Sequence, residues 1–255
     1  MINYLWIDLK IMFRIPLSIF FSILYPILMM FIIILSYGNM DIGNGYHLID
    51  KYFMITIGMG ILPIALISFP MWLGNSFENN SMERMIYFGV SFRKMMLGDI
   101  FAHLILVFIS MAFNILFAFI FFGLKFPHLL NFIMFILHYL IAVILAMIIG
   151  GIFALVFRNT QILMPFGLVV MFVLYMFCGV FITYDEMPAF FKNVASFIPM
   201  KYAMNDLYDI WTNQALWNVQ FLNLSVIYLI VSIVLLAVLI KKNSGLSTKI
   251  GRIRE

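Results

Sequence analysis

Six apolar runs, each close to or beyond the roughly 20 residues that an α-helix needs to cross bilayer hydrocarbon, dominate the sequence. They cover 16–37, 53–73, 100–122, 129–157, 162–182 and 221–240, and none contains Asp, Glu, Lys or Arg. Inside lipid, a lone segment of this kind can satisfy its backbone N–H and C=O groups only as a helix. A chain of 255 residues has no soluble core able to hide six such runs, and its 65% hydrophobic and 10% charged residues place it in the membrane class. The expected fold is an all-α integral membrane protein, one domain over residues 1–255, with six transmembrane helices.

Two further apolar stretches fit no span. In the first 15 residues, Leu5, Trp6, Leu9, Met12 and Phe13 recur at helical spacing against Asp8, Lys10 and Arg14, which predicts an amphipathic helix lying in the interface. With no small-residue cleavage site after it, the first span is expected to be retained rather than removed as a signal peptide. The other stretch, from Met187 to Ile198, is too short to span and is bounded by Pro188 and Pro199. A hairpin over 185–202 that dips and returns, sheltered by the bundle, is the expectation.

Cations set the orientation, because short cytoplasmic loops retain positive charge during insertion. One side of the six spans would carry Lys10, Arg14, Arg84, Arg93, Lys94, Arg158 and the five cations from Lys241 onward; the other holds Lys51, Lys125, Lys192 and Lys201. Both termini are therefore expected in the cytoplasm. The net charge of +4 then reflects topology and anionic headgroups, and nucleic acid is not an expected partner.

The sizeable loop on the cationic side, 74–100, contains a helix-start signal. Asn80 can cap a helix whose third residue, Glu83, reaches back, with Met82, Met85 and Ile86 on one face. Glu78, Glu83, Arg84, Tyr87 and Arg93 would then form a projecting knob of both charge signs, suited either to a protein partner or simply to solvent. In the fifth span Phe172, Tyr175, Met176 and Gly179 can share one face.

Other chemistry is sparse. The single cysteine, Cys178, allows no intrachain disulfide. No HExxH or GxSxG occurs, and no histidine has another His or Cys at helical spacing; catalytic and metal sites are expected to be absent. His103 and His138 lie inside spans and are expected to be neutral and hydrogen-bonded to a neighbouring helix, with Asn114 as interhelical glue. Pro26, Pro63 and Pro70 would disturb helix regularity. Asp99 is placed at the mouth of the third span, leaving no acid buried among the helices.

The loop resembles the coupling region of ABC-2-type transporter permeases through Glu78, Ser81, Glu83, Met85, Val90, Ser91, Met95, Met96, Leu97 and Gly98. Asn80, Gly89 and Lys94 stand where that family more often has Gly, Pro and an acid. A second resemblance runs through Cys178, Gly179, Met187 and Pro188 to Pro199, Met200, Lys201 and Tyr202, with Cys178 and Lys201 in place of the commoner Ser and Thr. Order and spacing along nearly the whole chain carry the likeness.

The resemblance implies half of an export channel in a bacterial plasma membrane. A second copy or a paralogous permease would pair with it, and separate ATPase subunits, binding ATP and Mg, would grip a cytoplasmic coupling helix. Glu78, Ser81, Met82, Glu83, Arg84, Met85, Tyr87 and Arg93, in a region spanning 76–98, become the expected grip. Phe172, Tyr175, Met176 and Gly179 become the translocation path or dimer interface. Asp185, Glu186, Pro188, Pro199 and Tyr202 become an extracellular re-entrant gate. No G-x-x-x-x-G-K-[ST] occurs, so ATP hydrolysis is expected from the partner. The implied cargo is hydrophobic or amphipathic: a peptide, drug or lipid. The alternatives are a polysaccharide or lipid-linked glycan exporter of the same family and an ion-coupled secondary transporter, although the latter normally carries buried ion-coupling groups and an internal duplication.

Overall fold

The computed structural model describes residues 20–79, 84, 87, 88, 92–182 and 184–251; the expected interfacial helix at 1–15 lies outside them. The chain is an all-α integral membrane protein. Among the described residues, six helices are long and apolar enough to cross a membrane: Phe20–Tyr37, Leu48–Glu78, Met96–Phe122, Leu129–Phe157, Thr160–Phe177 and Val219–Leu239. They are the first to sixth spans below.

The second span is the axis of the bundle. Its apolar core is 94% buried, against 11% to 44% for the others, and it is hydrophobic all round, as a helix surrounded by helices must be. At 31 residues it is about 46 Å long at 1.5 Å per residue, so both of its ends outrun the hydrocarbon. The sixth span, 11% buried, packs chiefly on the fourth and turns most of its surface to lipid.

Proline explains where the helices depart from regularity. Pro26 has no N–H for the carbonyl of Ser22 four residues back, and the chain there is a π-turn, Phe20–Leu24. Ser110 Oγ of the third span donates to the Ser22 carbonyl instead. Pro63 likewise leaves Met59, and Tyr175 of the fifth span donates its hydroxyl to that carbonyl at 2.8 Å. Between Pro63 and Pro70 the second span runs through another π-turn, Ile64–Ser68. Two glycines let neighbouring spans close on this turn. A Cβ on Gly150 would lie 2.0 Å from the Ala65 carbonyl oxygen, and one on Gly167 2.4 Å from that of Leu66.

We call the two ends of the bundle the ribbon end and the loop end. At the ribbon end a two-stranded antiparallel ribbon, β1 (Asp41–Gly43) and β2 (Tyr46–His47), joins the first two spans. Its turn is Asn44-Gly45 with φ of 54° and 75°, the left-handed pair that a two-residue hairpin demands. The segments 123–128, 178–182 and 184–218 reach the same end, and the end of the second span at Glu78 lies at the other. After the fifth span the chain turns at Gly179, φ 86°, then forms short helices at Ala189–Ala195, Pro199–Lys201 and Tyr208–Trp211, with a π-turn at Tyr202–Asp206.

Two acids correct the expectation that none is buried. Asp50 is fully buried and accepts from the backbone amides of His47 at 2.8 Å and Lys125 at 2.9 Å, a carboxylate held at a helix N-terminus. Asp99 is also fully buried, in the third helix.

Candidate functional site

At the loop end, the second span finishes at Glu78 beside the start of the fifth. The Glu78 carboxylate accepts from the backbone N–H of Thr160 and from its hydroxyl, both at 2.8 Å. Asn159 caps the same helix by accepting from Gln161 N–H at 2.8 Å. Arg158 takes a left-handed conformation, φ 49°, to end the fourth span, and its guanidinium lies 5.7 Å from the Phe77 ring. An anion thus sits on the first free amides of the fifth span, where the helix dipole favours it.

Of the eight residues expected to grip a partner, Glu78 is therefore already engaged within the chain. Tyr87 is 88% exposed, its neighbour Phe88 81%, and Arg84 is exposed, with Phe88 N–H donating to the Arg84 carbonyl at 3.1 Å. Ser81, Met82, Glu83 and Met85 lie outside the described residues. Arg93 belongs to the helix Phe92–Phe122, but its side chain is also outside them.

The four residues expected on one face of the fifth span separate. Phe172 and Met176 are exposed, while Tyr175 is fully buried with its hydroxyl on Met59. Gly179 lies beyond the helix end at Phe177 and is buried against Asn205. The surface that remains is Phe172 and Met176, extended by exposed Val169, Val173 and Phe181.

At the ribbon end the chain between the fifth and sixth spans has two unlike limbs. In the first, Glu186, Pro188 and Phe190 are exposed while Met187 and Ala195 are buried; the Asp185 side chain is outside the described residues. The second begins at Pro199 and burrows into the bundle well past the expected limit of 202: Tyr202, Met204, Leu207, Ile210 and Trp211 are buried. Met204 occupies the place where Gly58 of the second span lacks a side chain, a Cβ there meeting Met204 Cγ at 2.3 Å.

Polar side chains fasten this limb. Lys201 Nζ lies 2.8 Å from Asp206 Oδ2 and 4.1 Å and 4.4 Å from the ring centres of Tyr184 and Tyr202, within cation–π range. Burial pushes the Asp206 carboxyl above its ordinary range, and the hydrogen bond and charge of Lys201 oppose that rise. Asn205 donates to the Cys178 carbonyl at 2.7 Å, and the Tyr202 hydroxyl to the Ser196 carbonyl at 3.0 Å. Trp211 packs against Phe53 and Phe135 at 5.0 Å and 5.1 Å and donates to the Lys125 carbonyl at 2.9 Å. Lys201 belongs to the motif read from sequence, whereas Asn205, Asp206 and Trp211 carry no signal there that marks them as parts of this site.

Within the spans, His138 Nδ1 pairs with the Met134 carbonyl and Nε2 lies 3.3 Å from the Asn218 backbone N–H, so it does bond to a neighbouring segment. His103 Nδ1 and Asn114 Nδ2 instead find carbonyls of their own helix, Asp99 and Ser110, each at 2.8 Å. A bond from the third span to a neighbour comes instead from Ser110, which donates to the Ser22 carbonyl.

A family model described as ABC-2 type transporter matches residues 3–212, a stretch that ends with the buried limb. No curated protein matches the chain.

Proposed function

The chain belongs to the ABC-2 type transporter family, whose members supply the membrane component of an ABC transporter, and from that premise we propose that it is the permease half of an ATP-driven exporter. In this reading the loop end faces the cytoplasm and receives a push from a separate ATPase through residues 79–91. A second permease copy or a paralogue completes the channel. Cargo leaves past the hairpin at the ribbon end, and its class is hydrophobic or amphipathic, as the apolar exposed face of the fifth span suggests. Polysaccharide or lipid-linked glycan export is the alternative within the family.

One observation carries the mechanism. A single helix, Leu48–Glu78, runs from the ribbon to the loop that the ATPase would grip, and its last residue holds the N-terminus of the fifth span. A displacement of the loop therefore moves two spans together below the π-turn at Ile64–Ser68, where Gly150 and Gly167 bear on the backbone. Above that turn, Met204 and Gly58 join the same helix to the hairpin. ATP binding by the partner would bias the two arrangements only by the difference in its affinity for them.

Ion-coupled transport has one observation in its favour: Asp99 and His103 are both fully buried one turn apart in the third span, and intramembrane ionisable groups often mark ion paths. Co-purification with a cognate ABC ATPase, before and after substitution of Glu83 and Arg84, separates the readings. Loss of the ATPase from the variant complex supports the exporter; activity that follows an ion gradient with no nucleotide defeats it.

A further inference from the structure

The second, fourth, fifth and sixth spans enclose a cavity of about 130 Å³ with apolar walls. Leu66, in the π-turn of the second span, forms its floor; Ala146 of the fourth and Leu174 of the fifth form its sides; Pro199 and Met200 at the start of the buried limb form its roof. Tyr228 of the sixth span lines the remaining side.

Its deep walls and its rim differ. Leu66, Ala146, Pro199 and Met200 are buried, whereas Leu174, Tyr228 and Ile149 are only partly covered, so the cavity opens between the fifth and sixth spans. That opening is continuous with the lipid-facing surface of the sixth span, where Val226, Ile227 and Ile230 are exposed. What stands outside the opening is bilayer hydrocarbon, not water. A dry apolar cavity of this order accepts an apolar group, which restores dispersion contacts the walls otherwise lack.

We propose that this cavity binds one acyl chain of a membrane phospholipid, entering sideways between the fifth and sixth spans. The chain's end touches both the roof of the hairpin and the π-turn of the second span. The inference holds whatever the transporter exports, since it uses only the cavity and its continuity with lipid.

The experiment uses the full chain in phosphatidylcholine vesicles doped with a phosphatidylcholine that carries a photoactivatable diazirine in one acyl chain. Labelled residues are then mapped by mass spectrometry. Labelling at Ala146, Leu174 and Met200 is expected to exceed, several-fold per residue, that at the open positions Val226 and Ile230. Ala146→Phe, which fills the cavity, is expected to lower the cavity labels several-fold and leave the open-face labels unchanged; Ala142→Leu, at another wall residue of the fourth span, is a smaller filling with the same expected direction. Labels confined to the open faces of the unmodified chain, or cavity labels indifferent to both fillings in folded protein, overturn the proposal.

Discussion

Tyr175 shows how one backbone defect decides a side chain's role. Pro63 takes the helical donor away from Met59, and the tyrosine hydroxyl supplies it across the interface at 2.8 Å. Tyr175→Phe is expected to cost about 1 kcal/mol, between the ~0.6 kcal/mol average for bonds between membrane helices and the 1–3 kcal/mol for a stranded buried acceptor. Thermal unfolding of the purified protein in detergent checks it, with exposed Phe172→Leu expected to change little. The Lys201–Asp206 pair behaves differently. Burial holds the aspartate above its ordinary range, so desolvation offsets much of the attraction, and the pair fixes the limb's geometry more than it stabilises it. The Lys201 side chain is 8% exposed and that of Asp206 28%. Removing the acid therefore strands the more deeply buried charge. Asp206→Asn is expected to lower the unfolding temperature more than Lys201→Met does, with Lys201→Met/Asp206→Leu recovering most of the loss; equal single-variant effects would contradict this.

Six spans were readable because apolar length alone identifies them, but their ends obey chemistry that hydropathy does not see. The second helix starts at Leu48, before the charged Asp50 and Lys51 that break the apolar run, because Asp50 caps it. The fifth stops at Phe177 although Cys178 to Ile182 is still apolar, because Gly179 at φ 86° turns the chain. Asn44-Gly45 was a legible hairpin signal that went unused beside the stronger apolar pattern. The depth of the limb from Pro199 was not legible, since its partners, Gly58, Phe53 and Phe135, are remote in sequence. Glu78 was legible as a polar loop residue, yet its bond to Thr160 joins positions 82 apart. As the joint between two helices, it yields an expectation of its own. Glu78→Ala should leave the ATPase bound but uncouple its hydrolysis from movement, Thr160→Val, which keeps the backbone N–H bond, should do so in part, and the double variant should add little to Glu78→Ala. Additive losses would mean that the two residues act separately.

Across the bundle, the two ends are built for different tasks. At the ribbon end, Asp50 ties the backbone of Lys125 to the second span, Asn131 holds the carbonyls of Ile210 and Ala215 at 2.9 Å, and Asn213 accepts from the His128 N–H at 2.8 Å. Loops from three connections are thus bonded into one cap. The loop end instead presents Arg84, Tyr87 and Phe88 outward. The positive-inside reading of the sequence puts the loop end in the cytoplasm, so single cysteines at Tyr87 and Phe190 should react with membrane-impermeant reagents from the cytoplasm and from outside, respectively; the reverse would invert the proposed direction of transport. The most direct test places spin labels at Met40 and Phe190, both exposed, in the complex with its ATPase, where the lone native Cys178 is buried. ATP binding should shift the distance between them, and Glu78→Ala should abolish the shift with the ATPase still attached. A distance indifferent to nucleotide, or a shift that survives Glu78→Ala, would contradict the coupling of loop to hairpin through the second span.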